Sequence, residues 1–373
     1  MSNLKRLQEF GQSVYMDEIR RSWLTDGTLK GLIDDDGLRG VTSNPAIFQK
    51  AIGESDDYDE AVEDLARRGA DVRQAYEELV VHDIRDACDL FRPTYDASDG
   101  RYGYVSLEVS PHLAHDTDGT IREARHLWQR LGRPNAFIKV PGTAAGLPAI
   151  RQLIGEGINV NVTLLFGLGR YREVTEAYLG GLEDRLKAGG KVERVASVAS
   201  FFLSRIDVMI DPMLEKIAHQ GGPRAETARD LHGEIAVASA KQAYAIYQEV
   251  FSGKRYRALE KDGARTQRVL WASTSTKNPD YSDIKYVEPL IGPDTINTMP
   301  RETLDAYRDH GEPAARVTDD QQAYGEKLRR LADVDIDIDE ITQALEDEGV
   351  DKFVKPFDQL TGTLQDALAK APA

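Results

Sequence analysis

The stretch Ala136-Phe137-Ile138-Lys139-Val140-Pro141-Gly142-Thr143-Ala144-Ala145-Gly146-Leu147-Pro148-Ala149-Ile150 decides how this chain is read. Its first five residues are strand-like. Pro141-Gly142 then breaks the strand, and the sequence predicts a helix restarting at Thr143, a residue able to cap one. Side chains alternate between the faces of a strand. Ala136, Ile138 and Val140 therefore share one face, and Phe137 and Lys139 the other. A lysine in an apolar strand costs free energy unless it is neutral, paired or at the strand's end. Lys139 lies two residues before the break. On this stretch alone it reads as a snorkelling side chain with its ammonium in water. The sharper reading is a desolvated amine able to attack a carbonyl.

The flanking sequence repeats the pattern. Strand-like runs at 13–16, 40–43, 104–109, 136–140, 158–162, 195–199, 269–272 and within 289–297 alternate with helical ones. That alternation predicts a parallel α/β fold, and eight such units predict a (β/α)8 TIM barrel with additional helices. Gly69 should separate two helices within 58–90, and one long helix is expected over 225–250. The segment 117–119 reads as a turn, and 252–268 as a basic loop. The expectation is a single barrel domain over 1–373, with a helical C-terminal extension from about 311 to 373 packed on it. No interdomain linker or internal repeat is legible.

Barrel strands are buried on both faces and should be almost wholly apolar. Several strands here break that rule on one face only. Asn159, Asn161 and Thr163 oppose Ile158, Val160 and Val162. Ser106 and Glu108 oppose Leu107 and Val109. Thr42 shares a face with Asn44, and Asp17 ends the first strand on the face of Ser13 and Tyr15. The apolar faces suit the helices, and the polar faces suit the barrel interior. Asp17, Asn44, Glu108, Lys139, Asn161 and Thr163 then converge at the C-terminal mouth, where this fold places its chemistry. Each one alone is more simply a satisfied structural group. Together, an amine among two carboxylates, two amides and a hydroxyl is what Schiff-base chemistry on a ketone requires.

Two segments suggest a phosphate site. Ser200-Phe201-Phe202-Leu203-Ser204-Arg205 reads as a strand turning into a helix, where amides, Ser200 and Arg205 suit an anion. Ala272–Pro279, rich in Ser and Thr and carrying Lys277, follows the seventh strand, and late barrel loops often hold phosphate. The plain alternatives are a helix cap and a turn.

Composition sets the outer bounds. Lys+Arg 47 against Asp+Glu 63 gives a net charge of −16, which disfavours nucleic acid as a partner. An anionic substrate needs a local basic cluster. The single cysteine, Cys88, allows no intrachain disulfide and suits a reducing compartment. Neither a secretory signal nor a membrane span of about 18 apolar residues is legible. A cytoplasmic location is expected.

The motifs resemble those of the transaldolases, most closely the longer bacterial form. Gly40-Val41-Thr42-Ser43-Asn44-Pro45-Ala46-Ile47-Phe48 is similar to one family signature, and Phe137–Thr143 with Gly146-Leu147 to the other. Asn159–Phe166, the Ser200/Phe202/Arg205 spacing and Thr295–Pro300 fit as well, so the likeness runs in order from Ser13 to Arg308. It implies a Schiff base on Lys139, with Asp17 as acid and base at C–C cleavage. It implies that Glu108 and Thr163 hold a catalytic water. Asn44 and Asn161 would bind a dihydroxyacetone unit, and Ser200 and Arg205 the phosphate. Where shorter transaldolases carry a second phosphate-binding arginine, this chain has Ser275-Thr276-Lys277, and the role passes to Lys277. The implied reaction transfers that unit from sedoheptulose 7-phosphate to glyceraldehyde 3-phosphate, with no metal or organic cofactor. The alternatives are a fructose-6-phosphate aldolase on the same barrel, or a silent sugar-phosphate-binding protein. The aldolases are shorter and carry Gln and Tyr where this chain has Glu108 and Phe202. Oligomeric state stays open between monomer and homodimer.

Overall fold

The computed structural model describes residues 2–370. Eight parallel strands close into a barrel in chain order, β8 pairing back to β1. They are β1 (Ser13–Met16), β2 (Gly40–Val41), β3 (Tyr104–Glu108), β4 (Ala136–Pro141), β5 (Val160–Leu165), β6 (Ser197–Phe202), β7 (Arg268–Ala272) and β8 (Thr295–Met299). Helices separate the strands in sequence, so the expected (β/α)8 barrel is the fold. Every strand residue is buried, as a sheet covered on one face and filled on the other requires. Tyr104 and Phe137, two residues apart in the register of β3 and β4, stack with ring centroids 4.3 Å apart and fill the lower barrel. Polar groups take over above them.

Strand boundaries shift where chemistry replaces apolar patterning. β2 ends at Val41 rather than Ser43 because Asn44 caps the helix Pro45–Gly53, accepting a hydrogen bond from the Ile47 amide at 3.0 Å. β5 and β6 each run to residues 165 and 202, beyond the apolar runs that marked them in the sequence. Ser200 and Phe202 are therefore strand residues, not a helix N-terminus. The helix after β4 starts at Gly146, not Thr143. Thr143 caps the intervening turn, its hydroxyl accepting from the Gly146 amide at 3.1 Å. Gly146 is forced, since a Cβ there would lie 2.0 Å from the Pro141 carbonyl oxygen.

The helical sections hold with local corrections. Gly69, at φ +69°, breaks the chain between Asp59–Arg67 and Val72–Ala97 as expected. The single helix expected over 225–250 is two, Ala225–Leu231 and Ile235–Ser252. Residues 117–119 are the first turn of Thr117–Leu131, capped by Asp116. The basic loop contains a helix, Lys254–Glu260.

After β8 the chain forms Arg301–His310, Gln321–Arg330 and the long helix Ile338–Lys370. That last helix packs on Pro45–Gly53, Asp59–Arg67 and Val72–Ala97. His112 pairs with its Asp358 at 2.7 Å, and Tyr76 meets Phe357 edge-on at 5.1 Å. Residues 371–373 of the expected extension lie outside the described residues. No helix among the described residues is long and apolar enough to cross a membrane.

Candidate active site

Lys139 stands at the floor of a 780 Å³ cavity opening at the C-terminal end of the strands. It is 4% exposed, which rules out the snorkelling reading. Register explains its neighbours: Glu108, Lys139 and Asn161 are matched across β3, β4 and β5. The Lys139 Nζ lies 3.2 Å from Glu108 Oε2 and donates to the Ser43 carbonyl oxygen at 3.2 Å. Neither Glu108 oxygen has an aligned hydrogen bond among the described residues, so the contact with Lys139 is an ion pair. Burial raises the Glu108 pKa above the ordinary carboxylate range, and the Lys139 charge works against that rise.

Asp17 leaves the end of β1, and Thr42 donates to its Oδ1 at 2.6 Å. The Thr42 and Thr298 hydroxyls are in turn 2.6 Å apart. Burial raises the Asp17 pKa, with Lys139 and the Thr42 hydrogen bond opposing. Two buried carboxyls held near one amine, each pushed upward by desolvation, are suited to exchange protons with it and with a bound substrate.

Asn161 sits deeper. Its Nδ2 donates to Ser106 Oγ at 3.1 Å, and its Oδ1 accepts from Ser200 Oγ at 2.7 Å. Ser200 thus belongs to the layer of Asn161 rather than to a helix terminus. Thr163 lies opposite Pro141, one strand from Lys139's own. Its buried hydroxyl has no hydrogen-bond partner among the described residues. The Asn44 cap uses Oδ1 and leaves Nδ2 uncommitted on the cavity wall.

Arg205 is the second organising cation. Its Nη1 is buried without a hydrogen-bond partner, and no carboxylate lies within ion-pair distance among the described residues. Its guanidinium lies 5.4 Å from the Phe202 ring and 6.0 Å from that of Phe353. Burial lowers its pKa from the usual guanidinium value, opposed by the charges of Glu348 and Asp17. A desolvated, unpaired guanidinium on a cavity wall is a binding site for an anion. The loop after β7 is tied to Arg205's helix: Ser204 donates its amide to the Ser273 carbonyl at 3.0 Å, and the two hydroxyls meet at 2.9 Å. This brings Lys277 to the same rim, where its Nζ donates to Ser275 Oγ at 2.5 Å.

Of the residues singled out in the sequence, Asp17, Asn44, Lys139, Ser200, Phe202, Arg205 and Lys277 line the cavity. Glu108, Asn161 and Thr163 lie behind that surface. Sequence reasoning left three contributors unassigned. Thr42 was legible from its face on the second strand. Thr298 and Ser106 carried no signal beyond being polar in a strand.

The chain is similar to known proteins over nearly its whole length. A model of the transaldolase/fructose-6-phosphate aldolase family matches residues 14–364. "Transaldolase 2" of Nostoc sp. (strain PCC 7120) is 47% identical over 371 residues, covering 98% of this chain and 97% of that protein. "Transaldolase" of Saccharopolyspora erythraea is 46% identical, covering 99% of each. That of Mycolicibacterium smegmatis is 48% identical, covering 99% of this chain and 98% of the relative. The chain belongs to the transaldolase/fructose-6-phosphate aldolase family.

Proposed function

We propose that this protein is a transaldolase working through a Schiff base on Lys139. The observation that carries the reading is the buried Lys139 amine beside two carboxyls, at the floor of a cavity whose wall bears the unpaired Arg205 guanidinium. The Lys139 ammonium first passes a proton to Glu108, its ion-pair partner. The freed lone pair adds to the C2 ketone of a ketose phosphate, and the carbinolamine loses water to give an iminium. Glu108 and Thr163 are suited to hold the water that carries those protons. Asp17 accepts the proton of the C4 hydroxyl. The C3–C4 bond then breaks, an aldose leaves, and its bonding pair passes into the iminium to form an enamine. An incoming aldehyde accepts the enamine carbon, and Asp17 returns the proton to the new alkoxide. Hydrolysis frees the ketose product and Lys139.

Sedoheptulose 7-phosphate and glyceraldehyde 3-phosphate are the proposed pair, giving erythrose 4-phosphate and fructose 6-phosphate. Asn44, Asn161 and Ser200 would hold the dihydroxyacetone hydroxyls. The hydrogen bond between Ser200 and Asn161 supports counting Ser200 with this set as well as with the phosphate role that the resemblance implies. Arg205 and Lys277 would hold the phosphate. The chemistry needs no metal or organic cofactor. The reading is of a cytoplasmic enzyme, consistent with its one buried thiol, Cys88.

Two tests follow from the placements. One charge-assisted hydrogen bond is worth about 1.5–3 kcal/mol. Arg205→Ala should raise KM for phosphorylated substrates by roughly ten- to a hundredfold, taking about 1.4 kcal/mol per decade. Unphosphorylated analogues should change little, and an equal effect on both would make Arg205 structural. Phe202 lies 6% exposed beside Phe166, ring centroids 5.2 Å apart, and has no hydroxyl to protonate an enamine. Wild type should release little dihydroxyacetone from fructose 6-phosphate without an acceptor, and Phe202→Tyr should release more. Rapid acceptor-free cleavage by wild type would favour the aldolase reading.

A further inference from the structure

The C-terminal helix Ile338–Lys370 contributes a side chain to the catalytic cavity from more than 200 residues beyond Lys139 in the chain. Phe353 is 3% exposed and lines that cavity. The centroid of its ring lies 5.5 Å from Lys139 Nζ and 6.0 Å from the Arg205 guanidinium carbon. Phe353 thus meets both cations on which the proposed reaction depends, the imine-forming amine and the unpaired guanidinium.

The helix is held at a fixed height over the mouth. Gly349, one turn before Phe353 and on the same face, is the contact point. A Cβ at Gly349 would lie 3.0 Å from Leu164 Cδ2 and 3.7 Å from Arg205 Nη1. Leu164 itself has φ +60°, within the irregular pairing of β5 and β6 between Val162 and Leu165. Local strain of this kind persists when surrounding structure over-determines it. Either side of the contact, Glu346 accepts from Arg170 Nε at 3.1 Å and Asp358 pairs with His112 at 2.7 Å. The aromatic ring is therefore seated against the two cations by ties both before and after it on the same helix.

We propose that Phe353 is a positioning residue for transfer. It closes the wall of the cavity beside Lys139, keeping water from the enamine until an aldehyde arrives, and it braces Arg205 against the cavity. Excluding water from a reactive intermediate prevents its loss to side reaction, and an aromatic face holds a guanidinium without neutralising it. The proposal rests on the Schiff-base reading. It concerns the fate of the intermediate and not its formation.

The test compares the full-length wild type with Phe353→Ala and Phe353→Leu, using fructose 6-phosphate with and without an acceptor aldehyde. The readout is the ratio of free dihydroxyacetone to transfer product, with borohydride trapping at Lys139 and Tm measured in parallel. Phe353→Ala should still trap at Lys139, and its ratio should rise by about tenfold as water gains access. Phe353→Leu, which refills most of the volume, should fall between and covers the case in which the alanine variant does not fold. A ratio at the wild-type value in a folded, trapping-competent variant would overturn the proposal and leave Phe353 as packing. Failure of wild type itself to trap would instead overturn the Schiff-base reading.

Discussion

Lys139→Met should abolish transfer, because among the described residues no other lysine stands in the barrel layer of Glu108 and Asn161 to form the imine. Methionine keeps the length and apolar stem while removing the nucleophile. The loss should be of several orders of magnitude in kcat, as when a covalent nucleophile is deleted. The same variant makes a stability prediction whose sign is fixed by Glu108. Burial raises that carboxyl's pKa in the folded protein. The folded form therefore binds more protons than the unfolded chain between the ordinary and the raised value, and stability falls as pH rises through that interval. Lys139 opposes the rise, so removing it extends the interval upward. The Tm deficit of Lys139→Met against wild type should widen from acid towards neutral pH. A constant deficit would mean that Glu108 does not depend on Lys139 for its charge. Retained turnover would remove Lys139 from the chemistry.

Asp17→Asn should cost about 10²–10⁴-fold in kcat, the usual worth of a positioned acid and base. Asparagine can still accept from the Thr42 hydroxyl, so the Asp17–Thr42–Thr298 chain should survive and the fold with it. The step lost is removal of the C4 hydroxyl proton, not imine formation. The variant should therefore still form an imine with fructose 6-phosphate and accumulate it. Trapped adduct at or above the wild-type level, with turnover nearly gone, is the expected signature. Loss of trapping together with turnover would place Asp17 at imine formation instead.

The barrel and most of its mouth were legible because the signal is a contrast. Glu108, Lys139 and Asn161 are ionisable or amide side chains on strands whose other faces are Val, Leu and Ile, and only a polar interior accommodates that. The ends of β5 and β6 were misjudged for the same reason. Apolar runs marked the strand ends, so although Thr163 was read on the fifth strand's polar face, Ser200 and Phe202 were read as the turn into a helix rather than as strand. Ser200 was consequently given to a helix terminus, and only the hydrogen bond to Asn161 shows its layer. Thr298 needed the closure of β8 onto β1 to meet Thr42, a contact between residues 256 positions apart. Phe353 was beyond reach. On a 33-residue helix its periodicity says only that one face is buried, and nothing local says that the face is buried against Lys139 and Arg205.

The central claim is that one buried lysine carries the three-carbon unit. Wild-type protein incubated with fructose 6-phosphate, reduced with borohydride, digested and mapped by mass spectrometry tests it directly. The account predicts a reduced dihydroxyacetone adduct on the peptide containing Lys139 and on no other. An unmodified Lys139 peptide, or an adduct on a different lysine, would contradict it.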